Sequence, residues 1–571
     1  MTATAQTASF VPANLDPADF SQLEPLYRRL LDRPINSAAE LRQWLADNSE
    51  LAAIVDEYAS RRYIDKSCHT DDEAIVKRFL HFVEHVEPKI KPLGFQLQKK
   101  FLACPYLGEL REKRFEILVR DWKADVDIFR DENIPLETEG TKLVVDYDKL
   151  CGQMMVKFRG GEYTMQQMAR FLEDPDRPTR KESWEGVAAR RLVDQREIEA
   201  IFDKLLPLRQ KIAANAGFSD FRAYAWLQRK RFDYSPDDCL RFADAIAESC
   251  VPVVLELNRR RAADLGVDKL RPWDLEVDVL SRPALKPFAQ DQTPLLVSKT
   301  RAVFQRLSPE LAADFDALSA NKNLDLDSRK GKQPGGYQCS LLQSRQPFIF
   351  MNAAGLQRDV ETLLHEGGHA FHFLAACRNE PLVFLLQAPL EFCEVASMSM
   401  ELLGCEHMDI FYDAPEAARA KRKQIEGIIR FLPWMATIDC FQHWIYTHPG
   451  HTSEERTTYW LSLLDRFGGG VDWTGYEDVR RALWQRQLHL FHHPFYYIEY
   501  GIAQLGALQV WVKSKTNPRQ ALANYRAALN LGGTRPLPEL FSAAGIRFDF
   551  SAQTLRPLMQ TMAEELAALP R

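Results

Sequence analysis

The 571-residue sequence contains no uninterrupted stretch of about 18 apolar residues, so no membrane-spanning helix is expected. Cysteine is scarce: ten residues are scattered from Cys68 to Cys440, and none forms a CxxC pair. That pattern argues against a disulfide framework and against a cysteine-rich zinc site. An excess of basic charge is missing too. Lys plus Arg is 73 against 79 for Asp plus Glu, a formal charge of −6, and no nucleic-acid partner held by a basic surface is expected. The opening segment, MTATAQTASFVPANLDPADF, lacks a basic n-region and an apolar h-region. It does not read as a signal peptide, and together with reduced cysteines it points to a cytoplasmic protein with no membrane partner. Repeats of fixed period and low-complexity tracts are absent. The triple glycine at 468–470 is followed by no Gly-Lys-Ser/Thr, so it is a hinge or turn and not a phosphate loop.

What is present is ample core material, 46% hydrophobic, arranged mostly with helical spacing. Residues 38–60, 71–86, 195–214, 237–265 and 424–446 place apolar side chains three and four apart. Strand-like runs are few: QPFIFMN at 346–352 is the clearest and 142–147 is weaker. Turn-rich 173–179 (EDPDRPT) and the basic, Gly/Pro-rich 328–336 (SRKGKQPGG) punctuate the chain. The expected fold is mainly α, with an N-terminal helical lobe over residues 1–185. Residues 186–571 form a larger lobe carrying a small sheet near its centre.

The most informative segment is DVETLLHEGGHAFHFLAA at 359–376. His365, Glu366 and His369 form an HExxH pattern. Four helical residues advance about 6 Å and turn about 400°, so both imidazoles leave the same face and can share one Zn²⁺. Glu366, beside the first histidine, is placed to act as a general base on water at the metal. Gly367 and Gly368 each cost a helix interior about 1 kcal/mol relative to Ala. A helix accepts that cost when a neighbouring backbone or a substrate must approach closely. A second pair, His81 and His85 in HFVEH, has the same spacing in an inverted motif. It is flanked by Lys77, Arg78, Glu84 and Glu87, which read as a solvated face.

A zinc site that performs chemistry needs three protein ligands and one open position. Downstream of His369 come Glu380 and then Glu391, Glu394 and Glu401, the last three in a predicted helix over 389–403 with Gly404 at its C-terminal cap. Glu391, Glu394 and Glu401 share roughly one face. Spacing does not choose the ligand between Glu391 and Glu394; the others would orient the histidines. QPFIFMN, ending thirteen residues before His365, fits either an edge strand that pairs with a substrate backbone or a core strand. Near the C-terminus, HLFHHPFYYIEYGIAQLGA at 489–507 concentrates His489, Tyr496, Tyr497 and Tyr500. A tyrosine O–H or an imidazole N–H there would stabilise an oxyanion; aromatic packing is the plainer reading.

The combination of RKGKQPGGY, QPFIFMN, DVETLLHEGGHAFH, EFCEVASM and HPFYYIEYGIAQLGA resembles the oligoendopeptidase F branch of the thimet oligopeptidase family of zinc metallopeptidases. The resemblance is dense over about 325–508 and thins towards residue 185. It implies two helical lobes flanking a deep channel that admits short peptides. It also implies one Zn²⁺ held by His365, His369 and Glu394, with Glu366 as the base. His489, Tyr500 and Tyr497 would stand near the scissile carbonyl, and Phe348, Ile349, Phe350 and Met351 would align the substrate. The implied activity is hydrolysis of internal peptide bonds in short oligopeptides. The alternatives are a zinc carboxypeptidase or dipeptidyl carboxypeptidase on a similar scaffold, and a non-catalytic peptide-binding protein with vestigial zinc. HEGGH departs from the family's commoner large residue after the glutamate.

Overall fold

A computed structural model describes residues 9–289, 292–329, 331–333 and 335–570. Helix dominates it, as the apolar spacing predicts. Residues 38–60 belong to a longer helix, Ala38–Cys68, opened by Ser37, whose side chain accepts from the Glu40 N–H. Residues 195–214 form Gln195–Asn215, and 424–446 lie inside Ala414–Thr447. The segment 237–265 divides into two helices, Pro236–Ser249 and Val251–Asp264. Pro252 has no N–H to continue the first ladder, so it sits in the opening turn of the second. The expected strand at 142–147 is instead part of the helix Asn133–Gly152. Leu143 and Tyr147, four apart, are both buried there, and a short alternation does not outweigh a twenty-residue amphipathic segment. The break at 173–179 is as expected: Asp176 caps the helix Arg177–Val193 by accepting from the Thr179 N–H.

Five strands are described: β1 (Met155–Phe158), β2 (Gly161–Thr164), β3 (Leu324–Asp327), β4 (Tyr337–Leu341) and β5 (Gln346–Ala353). The chain divides into two compact units. The first contains the residues up to Phe129 together with Lys286–Ala417 and Gly506–Phe548. The second contains Arg130–Leu285, Ala418–Leu505 and the residues from Asp549 onward.

In unit one a core that includes Trp44, Phe101, Trp122 and Leu385 packs the N-terminal helices. Its sheet has the order β3–β5–β4, with β3 parallel and β4 antiparallel to β5. Strand β5 is therefore central. Phe350 faces Asp325 on one side and Tyr337 on the other. Ile349, Phe350 and Met351 are almost fully buried. This corrects the edge-strand expectation for Phe348, Ile349, Phe350 and Met351: the backbone of β5 is committed to its two neighbours, and the core reading holds. Strand β4 takes an edge. The basic loop before it is pinned by Lys332, whose buried ammonium donates to the carbonyls of Asp325, Asp327 and Met351. Lys330 and Pro334 of that loop lie outside the described residues.

In unit two the hairpin of β1 and β2 turns on Arg159 and Gly160, both at positive φ, as a two-residue hairpin turn requires. Buried Arg209 donates to the Tyr446 hydroxyl at 2.6 Å and to the carbonyls of Leu490 and Phe491. Among the described residues no cysteine forms a disulfide, and no helix is long and apolar enough to cross a membrane.

Candidate metal centre

Strand β5 ends at Ala353. The chain then turns through Gly355, at φ 84°, into the helix Gln357–Asn379. The Asp359 carboxylate folds back and accepts from the N–H groups of Ala354 and Leu356, both at 2.8 Å. At the other end Arg345, in the β4–β5 turn, donates to the carbonyls of Cys377 at 3.0 Å and Glu380 at 2.9 Å. These are terminal carbonyls that the helix itself leaves unmatched. Both ends of the histidine helix are thus tied to the sheet or its connections, which fixes the rotation of the face that carries His365 and His369.

The two glycines inside the motif have distinct structural causes. A Cβ on Gly368 would lie 2.6 Å from the Ser397 Cα and 2.7 Å from the Ala396 carbonyl oxygen. The obstacle is the backbone of the next helix, Leu390–Cys405, which has no flexible end to move aside. A Cβ on Gly367 would meet the Phe304 ring at 2.8 Å, and that ring packs on Phe371. The close crossing at Gly368 brings Glu394, three residues before Ser397, to the histidines. Gly404 is not the expected cap. It lies inside Leu390–Cys405, where a Cβ would strike Leu364 at 2.8 Å.

The result is a triangle of donor atoms. His365 Nε2 is 3.2 Å from His369 Nε2, and Glu394 Oε2 is 3.4 Å and 3.6 Å from the same two nitrogens. An ion at about 2.0–2.1 Å from each of its tetrahedral donors holds them about 3.3–3.4 Å apart. The triangle has the edges of such a tetrahedron, and its N, N, O donor set suits Zn²⁺. Glu401 Oε1 lies 2.6 Å from His365 Nδ1, which leaves Nε2 as the donor atom on the triangle side. Spacing left Glu391 and Glu394 open. The crossing of the two helices brings Glu394 to the Nε2 atoms and Glu401 to the opposite nitrogen of one ring.

Electrostatics follow from burial. Glu366 is buried, and desolvation pushes its carboxyl up to about 7, the range in which a group can both take and return a proton near neutrality. The backbone N–H of Gln338 in β4 acts weakly in the opposite direction. A Cβ on Gly336, the residue before β4, would press on Thr362 Cγ2 at 3.1 Å and stand in ordinary contact with Glu366 Oε1 at 3.7 Å. Burial holds His369 down at about 4, so its ring is neutral and its lone pair available. For His365 burial is outweighed by hydrogen bonds to Glu394 and Glu401, and the ring is held well above its ordinary value.

The aromatic cluster of unit two gathers at the start of the helix Tyr497–Thr516. The Tyr500 hydroxyl is 3.4 Å from His489 Nε2, and Gln487 Nε2 is 2.8 Å from His489 Nδ1. Tyr497 lies with its ring 5.0 Å from that of His489, and burial pushes its hydroxyl up to about 12. The cluster predicted from sequence is thus assembled. Its supports were missed: Arg209 under 490–491, and Arg231, which donates to Glu499 at 2.8 Å. Arginines some 268–282 residues upstream carry no local signal for this role. His81 and His85 are exposed and no carboxylate joins them in a donor cluster among the described residues, so the solvated-face reading holds. A cavity of about 930 Å³ in unit one, lined in part by Arg42, Arg61, Arg114 and Arg345, shares no residue with the donor triangle.

Comparison with known proteins places this geometry. The profile of peptidase family M3 matches residues 170–560, and that of the peptidase M3 N-terminal domain matches residues 10–129. An oligoendopeptidase F homolog of Mycoplasma pneumoniae is 23% identical over 298 residues, covering 49% of this chain and 48% of the relative. A second such homolog, from Borreliella burgdorferi, is 25% identical over 232 residues, covering 39% of this chain and 38% of the relative. The chain thus spans about half the length, or less, of these curated relatives. The solved structure of PZ peptidase A with inhibitor 2 is 26% identical, covers 98% of this chain and 99% of that one, and superposes with a TM-score of 0.92.

Proposed function

Because the chain belongs to peptidase family M3, we propose that it is a zinc-dependent endopeptidase that hydrolyses internal peptide bonds of short oligopeptides. The observation that carries this reading is the triangle of His365 Nε2, His369 Nε2 and Glu394 Oε2, with edges of 3.2–3.6 Å and a buried carboxyl next in the chain. One divalent ion there would supply a Lewis acid for the scissile carbonyl and acidify water at neutral pH. The chain's own groups do the rest. His365, His369 and Glu394 hold the cation, and Glu401 fixes the His365 ring so that its Nε2 faces inward. Glu366 takes a proton from the attacking water and returns it to the leaving amine.

Strand β4 supplies the sheet edge. An extended peptide laid along it would satisfy its own N–H and C=O groups by adding a strand. This replaces β5 as the aligning element. Tyr500, Tyr497 and His489 are assigned as hydrogen-bond donors to the developing oxyanion, a role worth about 2.7–4 kcal/mol for one well-placed donor. A cytoplasmic location and short peptide substrates complete the reading.

The test is digestion of a mixed library of terminally blocked peptides, with products identified by mass spectrometry, with and without chelator. Internal cleavage that stops with chelator and returns with Zn²⁺ is expected. Glu366→Gln should keep the metal and lose about 10²–10⁴-fold in kcat. Products removed only from free C-termini would turn the reading to a carboxypeptidase. Retained hydrolysis by Glu366→Gln would remove the assigned base.

A further inference from the structure

Unit two contains a convergence of donor atoms that the peptidase reading does not use. Cys239 lies on the helix Pro236–Ser249, and Asp439 and His443 lie one turn apart on the helix Ala414–Thr447. One ligand atom from each lies within 4.8 Å of the others, and His443 Nε2 is 3.2 Å from Asp439 Oδ2. All three side chains are buried, with 1% exposure for Cys239, 1% for Asp439 and 3% for His443.

The second observation concerns Asp439 and His443. Both carboxylate oxygens of Asp439 and both ring nitrogens of His443 are buried without a hydrogen-bond partner; the 3.2 Å contact is close but not aligned as one. Buried polar groups are nearly always satisfied, and four orphaned atoms on two adjacent side chains call for a specific cause. The walls offer no remedy. Trp226 and Phe495 pack with ring centroids 5.6 Å and 5.4 Å from His443. Arg231, which stacks on Trp226, directs its guanidinium to Glu499 at 2.8 Å.

A nucleophilic triad is excluded by the same burial, since no substrate reaches a thiol that is 1% exposed. A cation answers each feature. A thiolate and a carboxylate together carry two negative charges, which one divalent ion neutralises. Thiolate and imidazole select Zn²⁺-class ions over Mg²⁺ or Ca²⁺, which prefer all-oxygen sets. We propose that Cys239, Asp439 and His443 bind a second divalent ion of the zinc class, a structural one that joins two helices about 200 residues apart in sequence. This inference does not depend on the peptidase reading.

The two centres differ in one ligand chemistry: the triangle of His365, His369 and Glu394 has no sulfur. Substitution with Co²⁺ therefore separates them, because only a thiolate ligand gives the near-ultraviolet sulfur-to-cobalt charge-transfer absorption. The full-length chain loaded with Co²⁺ should hold two ions and show that band. The double variant His365→Ala/His369→Ala should hold one ion and keep the band in full. Cys239→Ser should hold one ion and lose the band while keeping the first centre. A wild-type chain that binds one ion and shows no band overturns the proposal, as does a band that survives Cys239→Ser. The wild-type and double-variant measurements leave the proposed ligands intact, so they decide the matter even if Cys239→Ser does not fold.

Discussion

Two helical segments of unit one each place a pair of histidines four residues apart with a glutamate between them. His81 and His85 have ring centroids 5.4 Å apart, and His365 and His369 have theirs 4.8 Å apart. The ring pairs are alike, yet only the second belongs to a donor cluster. The difference lies in what faces them. The first pair projects into solvent from a π-turn at Phe82–Val86, and no carboxylate joins it in a donor cluster among the described residues. The second lies under a crossing helix whose backbone comes close enough for Glu394 to reach both rings. A spacing of four makes two ligands possible; the third comes from a neighbour, and the neighbour's approach depends on a missing side chain.

That comparison breaks most sharply at Gly368. Alanine there places a methyl 2.6 Å from a backbone carbon, an overpacking that costs about 1–3 kcal/mol and moves the Leu390–Cys405 helix away. The expected result is a lowered Tm together with weakened zinc binding, read by thermal melting and metal analysis. Gly94 is the control. It too lies inside a helix, Glu87–Leu102, but nothing stands within 4 Å of its would-be Cβ. Gly94→Ala should stabilise by up to about 1 kcal/mol through helix propensity alone. Equal effects from the two substitutions would remove close approach as the reason for the motif's second glycine.

These two positions also mark what the sequence could and could not tell. The histidine helix, its face and its base were legible because they depend on local periodicity, 3.6 residues per turn. Two glycines in its interior signalled a close neighbour. Which glutamate that neighbour would present was not legible: Glu391 and Glu394 lie on the same face, and only the crossing at Ala396 and Ser397 distinguishes them. The apolar run at 346–352 announced a strand but carried no alternation, so it could not say whether both edges were paired. Cys239 and His443 gave no signal at all, since each is a lone residue on a helix of apolar periodicity.

A smaller effect sharpens the comparison at Glu401. Its carboxylate accepts from His365 Nδ1 at 2.6 Å and so orients the ring without being part of the donor triangle. Glu401→Gln keeps the shape and an acceptor oxygen but loses the charge. Zinc affinity should fall about 10–100-fold, the usual consequence of removing such a support, while the product pattern stays the same. A competition titration against a chromophoric chelator measures it. Unchanged affinity would mean that the ring is held by the helix packing alone.

The smallest effect is expected at the counterpart. His81→Ala/His85→Ala removes two exposed rings that share a spacing with the metal pair and little else. Zinc content and kcat should be unchanged, and stability should move by no more than about 0.5 kcal/mol, as for surface substitutions away from caps and networks. If zinc content fell, the exposed pair would have found a ligand in solution that the crossing helix supplies to its counterpart. Convergence of a buried carboxylate would then no longer be the feature that separates a metal-binding histidine pair from a solvated one.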